Sequence, residues 1–291
     1  MDSFDIVFAG HTYRDQITHF GHEPELVVGG SLMYGSLTAA RLGARTAIIS
    51  KMAEEDRNLL SEMESAGITA FVIPAPVTSE FEVVYKSEDA EDREFCQPKA
   101  AGCLELREMP PVETRFLHLA GNALHEFSLE LIQGLKQKGY ALSLDMQAFV
   151  RQPDDESHQM RFGDVPEKKE IVGQLDMLKL DITESRILTG EVAAEPALDI
   201  IADWGCPEIV LTRTDGVLVH ANGKTHFQPF TNRGLDGRNG RGDTTFAGYM
   251  TRRLTHSPEE SLRFAAAVAS LKLENRGPFN GTLDQVLQRM D

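Results

Sequence analysis

Short apolar runs alternate along the chain with longer segments in which apolar residues recur at helical spacing. The apolar runs are rich in β-branched residues, as parallel strands buried on both faces are, and they lie at residues 4–10, 45–50, 116–121, 141–146, 177–181 and 208–213. The helical patterns lie at residues 31–43, 55–66, 125–138, 184–189, 195–204, 243–255 and 257–275. This alternation predicts an α/β fold, a doubly wound and mostly parallel sheet with helices on both faces, whose ligands bind at the carboxyl ends of the strands.

The alternation is interrupted at residues 68–95, where EFEVVYKS alternates apolar and polar positions and EDAEDRE is an acidic turn. The pattern predicts a hairpin that stands off the main sheet. It is either a small β lid over a cleft, at about residues 78–96, or a plain edge hairpin. The polar residues 151–166, which include two prolines, predict a surface loop.

Charge and cysteine content restrict the partners and the compartment. The chain has 45 Asp and Glu against 29 Lys and Arg, a net charge of −16, and a field of this sign repels nucleic-acid backbones. The three cysteines, Cys96, Cys103 and Cys206, lack the spacing of a disulfide framework or a zinc site. No run approaches the roughly 18 apolar residues of a membrane span. We therefore expect a cytoplasmic protein that binds neither nucleic acid nor membrane.

The stretch GRNGRGDTTFAG, at residues 237–248, places glycines and a carboxylate at the start of a predicted helix. Glycines at Gly240 and Gly242, on either side of Arg241, allow a tight turn in which several backbone N–H groups point at one spot. The helix N-terminus adds partial positive charge, so this turn predicts an anion hole that suits a phosphate. Asp243 is either a helix cap or a general base that takes the proton of an attacking hydroxyl.

Another glycine-containing stretch does not carry a nucleotide-binding motif. Gly223-Lys224-Thr225 resembles the end of a P-loop, but Leu218 stands where the P-loop needs its first glycine. Asn222 and Gly223 are better explained as a type I′ hairpin turn. The dinucleotide fingerprint is also absent from the chain, which disfavours an NAD-type oxidoreductase.

Five segments, taken together and in this order, resemble the ribokinase-like (PfkB) carbohydrate kinases. GRGDTTFAG resembles the second signature of that family, and Gly29-Gly30 with the following SLMYGSLTAARLGA is similar to its first glycine motif. GHTYRDQI, KLDITESRILTG and VLTRTDG resemble its opening segment, its Asn-x-x-Glu segment and its nucleotide-binding strand and loop. The resemblance covers nearly the whole chain and implies a single ribokinase-like domain over residues 1–291.

The resemblance also implies a role for individual residues. Asp243 would be the catalytic base, and the backbone of Gly240, Arg241 and Gly242 would hold the transferring phosphoryl group. Glu184 would steer magnesium and its waters. The remaining implied contacts are to the substrate, from Asp15, Gly29, Gly30 and Tyr34, and to the nucleotide, from Asp181, Thr212, Gly216 and Asn275.

Several residues depart from the family pattern. Arg241 replaces a small residue, Asp181 replaces the usual Asn, and Tyr34 stands where sugar-binding members often have Asn. The residues before the anion hole, 237–239, read GRN where the family usually has Asp-Thr-Thr. These differences bear on the substrate and on any monovalent-cation loop.

The implied function is an ATP-dependent kinase that uses Mg²⁺ and phosphorylates a hydroxyl of a small sugar, polyol or nucleoside. A non-catalytic sugar- or nucleotide-binding protein on the same scaffold is the alternative, because a fold does not fix a function. The predicted lid is also a candidate contact for a homodimer, since a partner chain would cover its exposed strand edge.

Overall fold

The apolar runs form strands. In the computed structural model, which describes residues 3–87 and 93–290, the strands in chain order are β1 (Ser3–His11), β2 (Tyr13–Thr18), β3 (Glu25–Gly29), β4 (Thr46–Met52), β5 (Thr69–Pro74), β6 (Glu80–Tyr85), β7 (Arg93–Lys99), β8 (Glu113–Leu119), β9 (Leu142–Asp145), β10 (Arg151–Pro153), β11 (Met160–Phe162), β12 (Met177–Asp181), β13 (Glu208–Thr212), β14 (Gly216–Ala221) and β15 (Lys224–Pro229).

The periodic segments form helices. A 3-10 helix spans Glu54–Leu60, and the α-helices are α1 (Ser31–Arg41), α2 (Ser61–Ser65), α3 (Leu129–Gln137), α4 (Gln147–Val150), α5 (Lys168–Val172), α6 (Ile182–Thr189), α7 (Ala194–Ala202), α8 (Arg241–Arg253), α9 (Pro258–Leu273) and α10 (Leu283–Met290). None of the helices in the described residues is both long and apolar enough to cross a membrane.

The central sheet has nine strands in the order β15-β14-β13-β12-β9-β8-β1-β4-β5. All neighbours are parallel except at one edge, where β14 pairs antiparallel with β13 and with β15. Asn222 and Gly223 connect the last two strands with φ values of 54° and 69°. These left-handed values are those of a type I′ turn, so the predicted hairpin turn is confirmed.

Both faces of the central sheet are covered by helices. Successive side chains of a strand point to opposite faces, and in β1 Val7 and Ala9 join the apolar cluster that includes residues of α3, α6 and α7. Ile6 and Phe8 join the opposite cluster, with residues of α1, α8 and α9. The predicted doubly wound, mostly parallel sheet is therefore confirmed.

A second sheet, the lid, stands off the central one and has the order β3-β2-β6-β7. Its outer pairs are antiparallel and its central pair, β2 with β6, is parallel. The lid is thus larger than the hairpin predicted at residues 78–96, because β2 and β3 were not predicted. Residues 88–92 of that hairpin lie outside the described residues.

Some predicted boundaries are wrong for local reasons. Residues 69–74 form β5, which pairs with β4 at the edge of the central sheet and is not part of the lid hairpin. The helix predicted from residue 125 begins at Leu129, because the Ser128 Oγ accepts the Leu131 N–H at 3.1 Å and caps it. The predicted loop at 151–166 contains the short antiparallel pair β10 and β11.

Candidate functional site

A cavity of about 310 Å³ lies between the carboxyl edge of the central sheet, the start of α8 and the lid. Most of the predicted site residues line it, and the full lining is Asp15, Ile17, Val27, Gly29, Gly30, Tyr34, Phe81, Val83, Tyr85, Phe95, Asn122, Gln147, Arg151, Phe162, Lys179, Asp181, Thr212, Arg238, Asn239, Gly240, Arg241, Gly242 and Asp243. Glu184, Gly216 and Asn275 are not among these lining residues. The fold therefore brings together residues that are up to 228 positions apart in the chain, from Asp15 to Asp243.

The anion hole predicted from the glycines lies at the start of α8. Gly240 is the N-cap residue, with a left-handed φ of 70°, and a Cβ there would come within 2.2 Å of the Tyr34 ring. Glycine is required at this position by both its conformation and its contact. Of the N–H groups of the first turn, that of Arg241 donates to the Arg238 carbonyl oxygen at 3.3 Å. Those of Gly242 and Asp243 have no acceptor within the helix and are available to an anion.

Asp243 belongs to the first turn of α8 and is not its cap, because Gly240 occupies that position. Its carboxylate lies 3.5 Å from the Lys179 Nζ. Burial alone would raise the pKa of Asp243, but the charge of Lys179, the hydroxyl of Ser31 and the charge of Arg151 outweigh it and lower the pKa. Asp243 is therefore ionised at neutral pH, as a proton acceptor must be.

Lys179 was not predicted as a site residue, and it joins two carboxyl groups. Its Nζ lies 2.6 Å from the Asp145 Oδ2, and both side chains are almost fully buried. Burial raises the pKa of Asp145 well above its usual value, whereas the pKa of Asp243 is lowered. Because the environments separate the two acids, Asp243 is the more acidic one and the better candidate for a base.

Asp15 and Asn122 form the polar part of the lid-side end of the cavity. Burial, with a smaller effect of Glu80, raises the pKa of Asp15 to about 7, although Asp15 Oδ1 accepts the Phe81 N–H at 3.3 Å. Within the described residues the buried Asn122 Nδ2 has no hydrogen-bond partner. A carboxylate and a free amide donor beside each other suit a ligand that carries several hydroxyl groups.

The two glycines of the first motif shape this end of the cavity. A Cβ on Gly29 would come within 2.0 Å of the Asp15 Oδ2, so glycine leaves room for that carboxyl. Gly30 is the N-cap residue of α1 with φ 92°, and a Cβ there would come within 3.0 Å of the Tyr13 ring. Both glycines therefore leave room for neighbouring side chains, and their predicted contact with a substrate stays a prediction.

We expect the titration of Asp15 to appear in ligand binding. Asp15→Asn should weaken binding of a polyhydroxyl ligand about tenfold or more, because a hydrogen bond to a charged group contributes roughly 1.5–3 kcal/mol. In the parent protein, affinity should fall as pH falls through about 7, where Asp15 becomes protonated, and the variant should lack this limb. Calorimetric titrations between pH 5.5 and 8.5 check it.

The same titration affects stability with the opposite sign. Asp15 keeps its proton up to about pH 7 in the folded state, whereas the ordinary pKa of an aspartate is 3.8. The free energy of unfolding of the unliganded protein should therefore fall as the pH rises from 3.8 to about 7. Asp164→Asn, at a carboxylate on the exposed side of the Lys168 ion pair, is the control. A pH-independent affinity in the parent protein would contradict the assignment.

Cationic side chains also line the cavity. Arg151, Lys179, Arg238 and Arg241 all do so, although the whole chain carries a charge of −16. Arg238 and Arg241 lie at the start of α8, and we call this part of the cavity its donor end. In the described residues, the buried Nε atoms of Arg151 and Arg241 have no hydrogen-bond partner. Burial, with the nearby charge of Arg238 adding to it, lowers the pKa of Arg241. Buried guanidinium donors without partners point to a multiply charged anion as their ligand.

Asp181 and Glu184 form a capping box at the start of α6. Asp181 Oδ1 accepts the N–H groups of Thr183 and Glu184, and Glu184 Oε2 accepts the Asp181 N–H at 2.8 Å. Burial, followed by the charge of Asp181, raises the pKa of Glu184 to about 7. Asp181 lines the cavity and Glu184 does not. Among the described residues, no cluster of three or more acidic, His or Cys side chains forms a ready metal site.

Two residues predicted to bind a nucleotide are not among those that line the cavity. Gly216 begins β14, where a Cβ would come within 2.5 Å of the Gln228 carbonyl oxygen, so its glycine is explained by strand packing. Asn275 lies just after the C-cap residue of α9, and its Nδ2 donates to the Leu271 carbonyl at 3.0 Å. Of the nucleotide contacts predicted on this side, Thr212 does line the cavity.

The comparisons with known proteins agree with this architecture. Residues 3–285 match the family model described as pfkB family carbohydrate kinase. A sulfate complex of a pyrophosphate-dependent kinase in the ribokinase family is 30% identical, with a TM-score of 0.88 over 98% of this chain and 99% of that one. No protein of curated function matches the chain.

Two further solved structures extend the comparison. A pyrophosphate-dependent kinase in the ribokinase family, complexed with a pyrophosphate analog and myo-inositol, is 29% identical, with a TM-score of 0.88 over 97% of this chain and 99% of that one. Arabidopsis thaliana ribokinase, complexed with ribose and ATP, is 17% identical, with a TM-score of 0.78 over 100% of this chain and 99% of that one. At this identity, the similarity to Arabidopsis thaliana ribokinase shows a shared fold alone.

Proposed function

Because the chain belongs to the pfkB family of carbohydrate kinases, we propose that its cavity transfers a phosphoryl group to a hydroxyl of a small polyol or sugar. The observation that carries the proposal is the position of Asp243, a buried carboxylate with a lowered pKa in the first turn of α8. A protein that only binds its ligand needs no ionised base beside an anion hole.

The reaction follows from the two ends of the cavity. Asp15 and Asn122 hold hydroxyl groups of the acceptor, and one hydroxyl faces Asp243. As its oxygen attacks the donor's terminal phosphorus, the hydroxyl proton moves to Asp243, a new P–O bond forms, and the bond to the bridging oxygen of the donor breaks. The leaving group departs with the electron pair of that bond. Backbone N–H groups at Gly242 stabilise charge on the transferring group, which is the larger part of such catalysis.

The lid supplies the apolar side of the acceptor end. Ile17, Val27, Phe81 and Val83 face the cavity from β2, β3 and β6. Apolar side chains pack against the C–H faces of a sugar or cyclitol ring and exclude water from the reacting hydroxyl. A ring with hydroxyls on its edge and C–H groups on its faces fits both walls.

We further propose inorganic pyrophosphate as the donor, in place of the ATP predicted from the sequence. Pyrophosphate has no nucleobase or ribose to bind, so the protein must hold it by its charge. The donor end carries Arg238, Arg241 and Lys179. Neither Gly216 nor Asn275, which the family pattern assigned to the nucleotide, lines the cavity. Two structures of similar sequence are pyrophosphate-dependent kinases, which supports the proposal.

Magnesium fits the donor end as a partner of the donor. Mg²⁺ is usually bound by one or two carboxylates together with substrate phosphates. Asp181 faces the cavity, and burial, followed by the charge of Asp181, raises the pKa of Glu184 beside it. A divalent cation would offset the negative charge of these two acids. Asp181, backed by Glu184, would hold the ion, which neutralises charge on the phosphates when bound.

Arg241→Ala tests the choice of donor. We expect the KM for pyrophosphate to rise about tenfold or more, since a charge-assisted contact contributes roughly 1.5–3 kcal/mol, with little change in the KM for the acceptor. Initial rates with pyrophosphate and with ATP, each over a range of concentrations, measure it.

Arg57→Ala is the matched control, because the Arg57 guanidinium is held in an ion pair with Glu64 at 3.3 Å and is not among the cavity-lining residues. It should leave both KM values unchanged. A parent protein that turns over with ATP and not with pyrophosphate would restore the donor predicted from the sequence. Ligand binding without turnover on either donor would favour the non-catalytic alternative.

A homodimer through the lid and a cytoplasmic location stay proposals. The edge strand β3 carries Leu26, which is 67% exposed, and an uncovered apolar edge favours pairing with a second chain. Light scattering at micromolar concentration tests the dimer, and a monomeric mass would contradict it.

A further inference from the structure

A buried lysine lies directly beneath the loop that leads into the anion hole. Lys272, in the last turn of α9, is 1% exposed. Its Nζ donates to the carbonyl oxygen of Gly237 at 2.9 Å and lies 3.5 Å from that of Asn275. Two backbone carbonyls that converge on an ammonium group form a small cation site, and here the cation is tethered to the chain.

The loop above Lys272 has no space for a side chain at residue 237. A Cβ on Gly237 would come within 1.9 Å of the Asn275 carbonyl oxygen, and the Gly237 N–H donates to the Leu273 carbonyl at 2.9 Å. Gly237 therefore rests on the end of α9, and Gly240, three residues later, is the N-cap of α8.

Tyr34 connects the two ends of this loop. Its ring is in close contact with Gly240, and the Lys272 Nζ lies 5.8 Å from the ring centroid. An ammonium at this distance from an aromatic ring is attracted by the ring's quadrupole. Lys272 thus touches the start of the loop directly and its end through Tyr34.

The charge of Lys272 is costly where it lies. An ammonium has three donors, and the contacts described for this one are a single short hydrogen bond, a longer one and a ring. Burial lowers the pKa of Lys272 to about 8, with the charge of Asp243 acting in the opposite direction. An apolar side chain of similar length would fill the same volume without that cost.

We propose that Lys272 is a positioning residue, an internal cation that fixes residues 237–240 and adds positive potential behind the phosphate held by the anion hole. The proposal rests on the proposed function, because it assumes that the N-terminus of α8 binds the donor phosphate. It explains why the loop reads GRN rather than a run of side-chain ligands: the positive charge comes from the chain itself.

Lys272→Met removes the charge and keeps most of the volume. We expect pyrophosphate, titrated calorimetrically into the parent and the variant, to bind about tenfold more weakly to the variant, a difference of about 1.4 kcal/mol. The KM for the acceptor should stay unchanged. Lys136→Met, at a lysine on the surface paired with Asp176 at 2.7 Å, is the control and should bind pyrophosphate as the parent does.

Lys272→Ala tests the charge separately from the packing. It leaves a hole lined by the two carbonyls, and ammonium or methylammonium chloride should restore a large part of pyrophosphate binding, whereas tetramethylammonium chloride at equal ionic strength should not. A role in packing alone would not respond to small cations in this selective way. Thermal melting of each variant checks that it is folded.

Unchanged pyrophosphate affinity in folded Lys272→Met would overturn the inference, and so would a loss in Lys272→Ala that no small cation restores. Should Lys272→Met fail to fold, the cation titration of Lys272→Ala decides the question alone, and an insoluble Lys272→Ala counts against a role confined to the loop.

Because binding is measured without turnover, a parent protein that binds pyrophosphate but phosphorylates no acceptor would defeat the proposed function and leave this test intact.

Discussion

We expect Asp243→Asn to lower kcat by about 10²–10⁴-fold, the usual effect of removing a positioned general base. The amide has nearly the same shape, so it fills the position without accepting the hydroxyl proton. Donor binding should be unchanged or slightly tighter, because a negative charge beside the phosphates is removed. Stability should change by about 1 kcal/mol, since Asp145 still pairs with Lys179 at 2.6 Å.

The measurement is steady-state kinetics with both substrates varied, together with denaturant unfolding of each protein. Asp164→Asn, an isosteric change at an acid outside the cavity, is the control and should be silent in both. A variant that keeps most of its kcat, or that does not fold, would make Asp243 a structural residue of the first turn and would remove the base from the mechanism.

Lys179→Met should have a second large effect, on stability and activity together. It removes the cation shared by Asp145 and Asp243, whose side chains are 0% and 15% exposed. Breaking a buried ion pair from one side costs about 3–5 kcal/mol. The loss should grow as pH rises, because the two buried acids must then ionise without a positive partner.

The activity of Lys179→Met should fall and change its pH dependence. Without the lysine charge the pKa of Asp243 should rise, so a smaller fraction of the base is ionised at neutral pH and kcat should recover partly at higher pH. Lys179→Met combined with Asp145→Asn should regain stability without regaining the neutral-pH activity. Chemical unfolding and kcat profiles from pH 6 to 9 measure both, and a pH-independent defect would contradict this role of Lys179.

Much of the fold was predictable because its strands are buried on both faces. Each of the six predicted strands is found in the central sheet, as continuous apolar runs in a parallel sheet should be. The resemblance to the PfkB family is confirmed by the family match over residues 3–285. The motif at residues 237–248 predicted the turn and the carboxylate at the start of α8, because glycines and a helix start are local features.

The lid was only partly predictable. Residues 13–18 read YRDQIT, with intermediate exposure in the structure beyond Tyr13, so neither a buried run nor a clear alternation marks the strand. β3 is a short stretch with an exposed start. These strands form because β2 pairs with β6, which lies more than 60 residues later in the chain. A local sequence pattern cannot predict such a pairing.

The charged residues of the site were missed for a similar reason. Lys179 in MLKLD and Asp145 in ALSLDM each carry a charge within or at the end of a buried strand. A charged residue in a buried strand indicates that a residue of opposite charge lies nearby. That Lys179 and Asp145 are each other's partners could be identified only once β9 and β12 were known to be neighbours. The choice between pyrophosphate and ATP likewise depends on which side chains meet across the cavity.

The central claim is that this cavity moves a phosphoryl group to a hydroxyl with Asp243 as the base. Phosphorus NMR tests it most directly: purified protein is incubated with Mg²⁺, pyrophosphate or ATP, and a panel of cyclitols and sugars with myo-inositol among them. We predict a phosphomonoester signal on at least one acceptor, formed together with inorganic phosphate from pyrophosphate, and lost in Asp243→Asn. No phosphomonoester with either donor, or equal yields from parent and variant, would contradict the account.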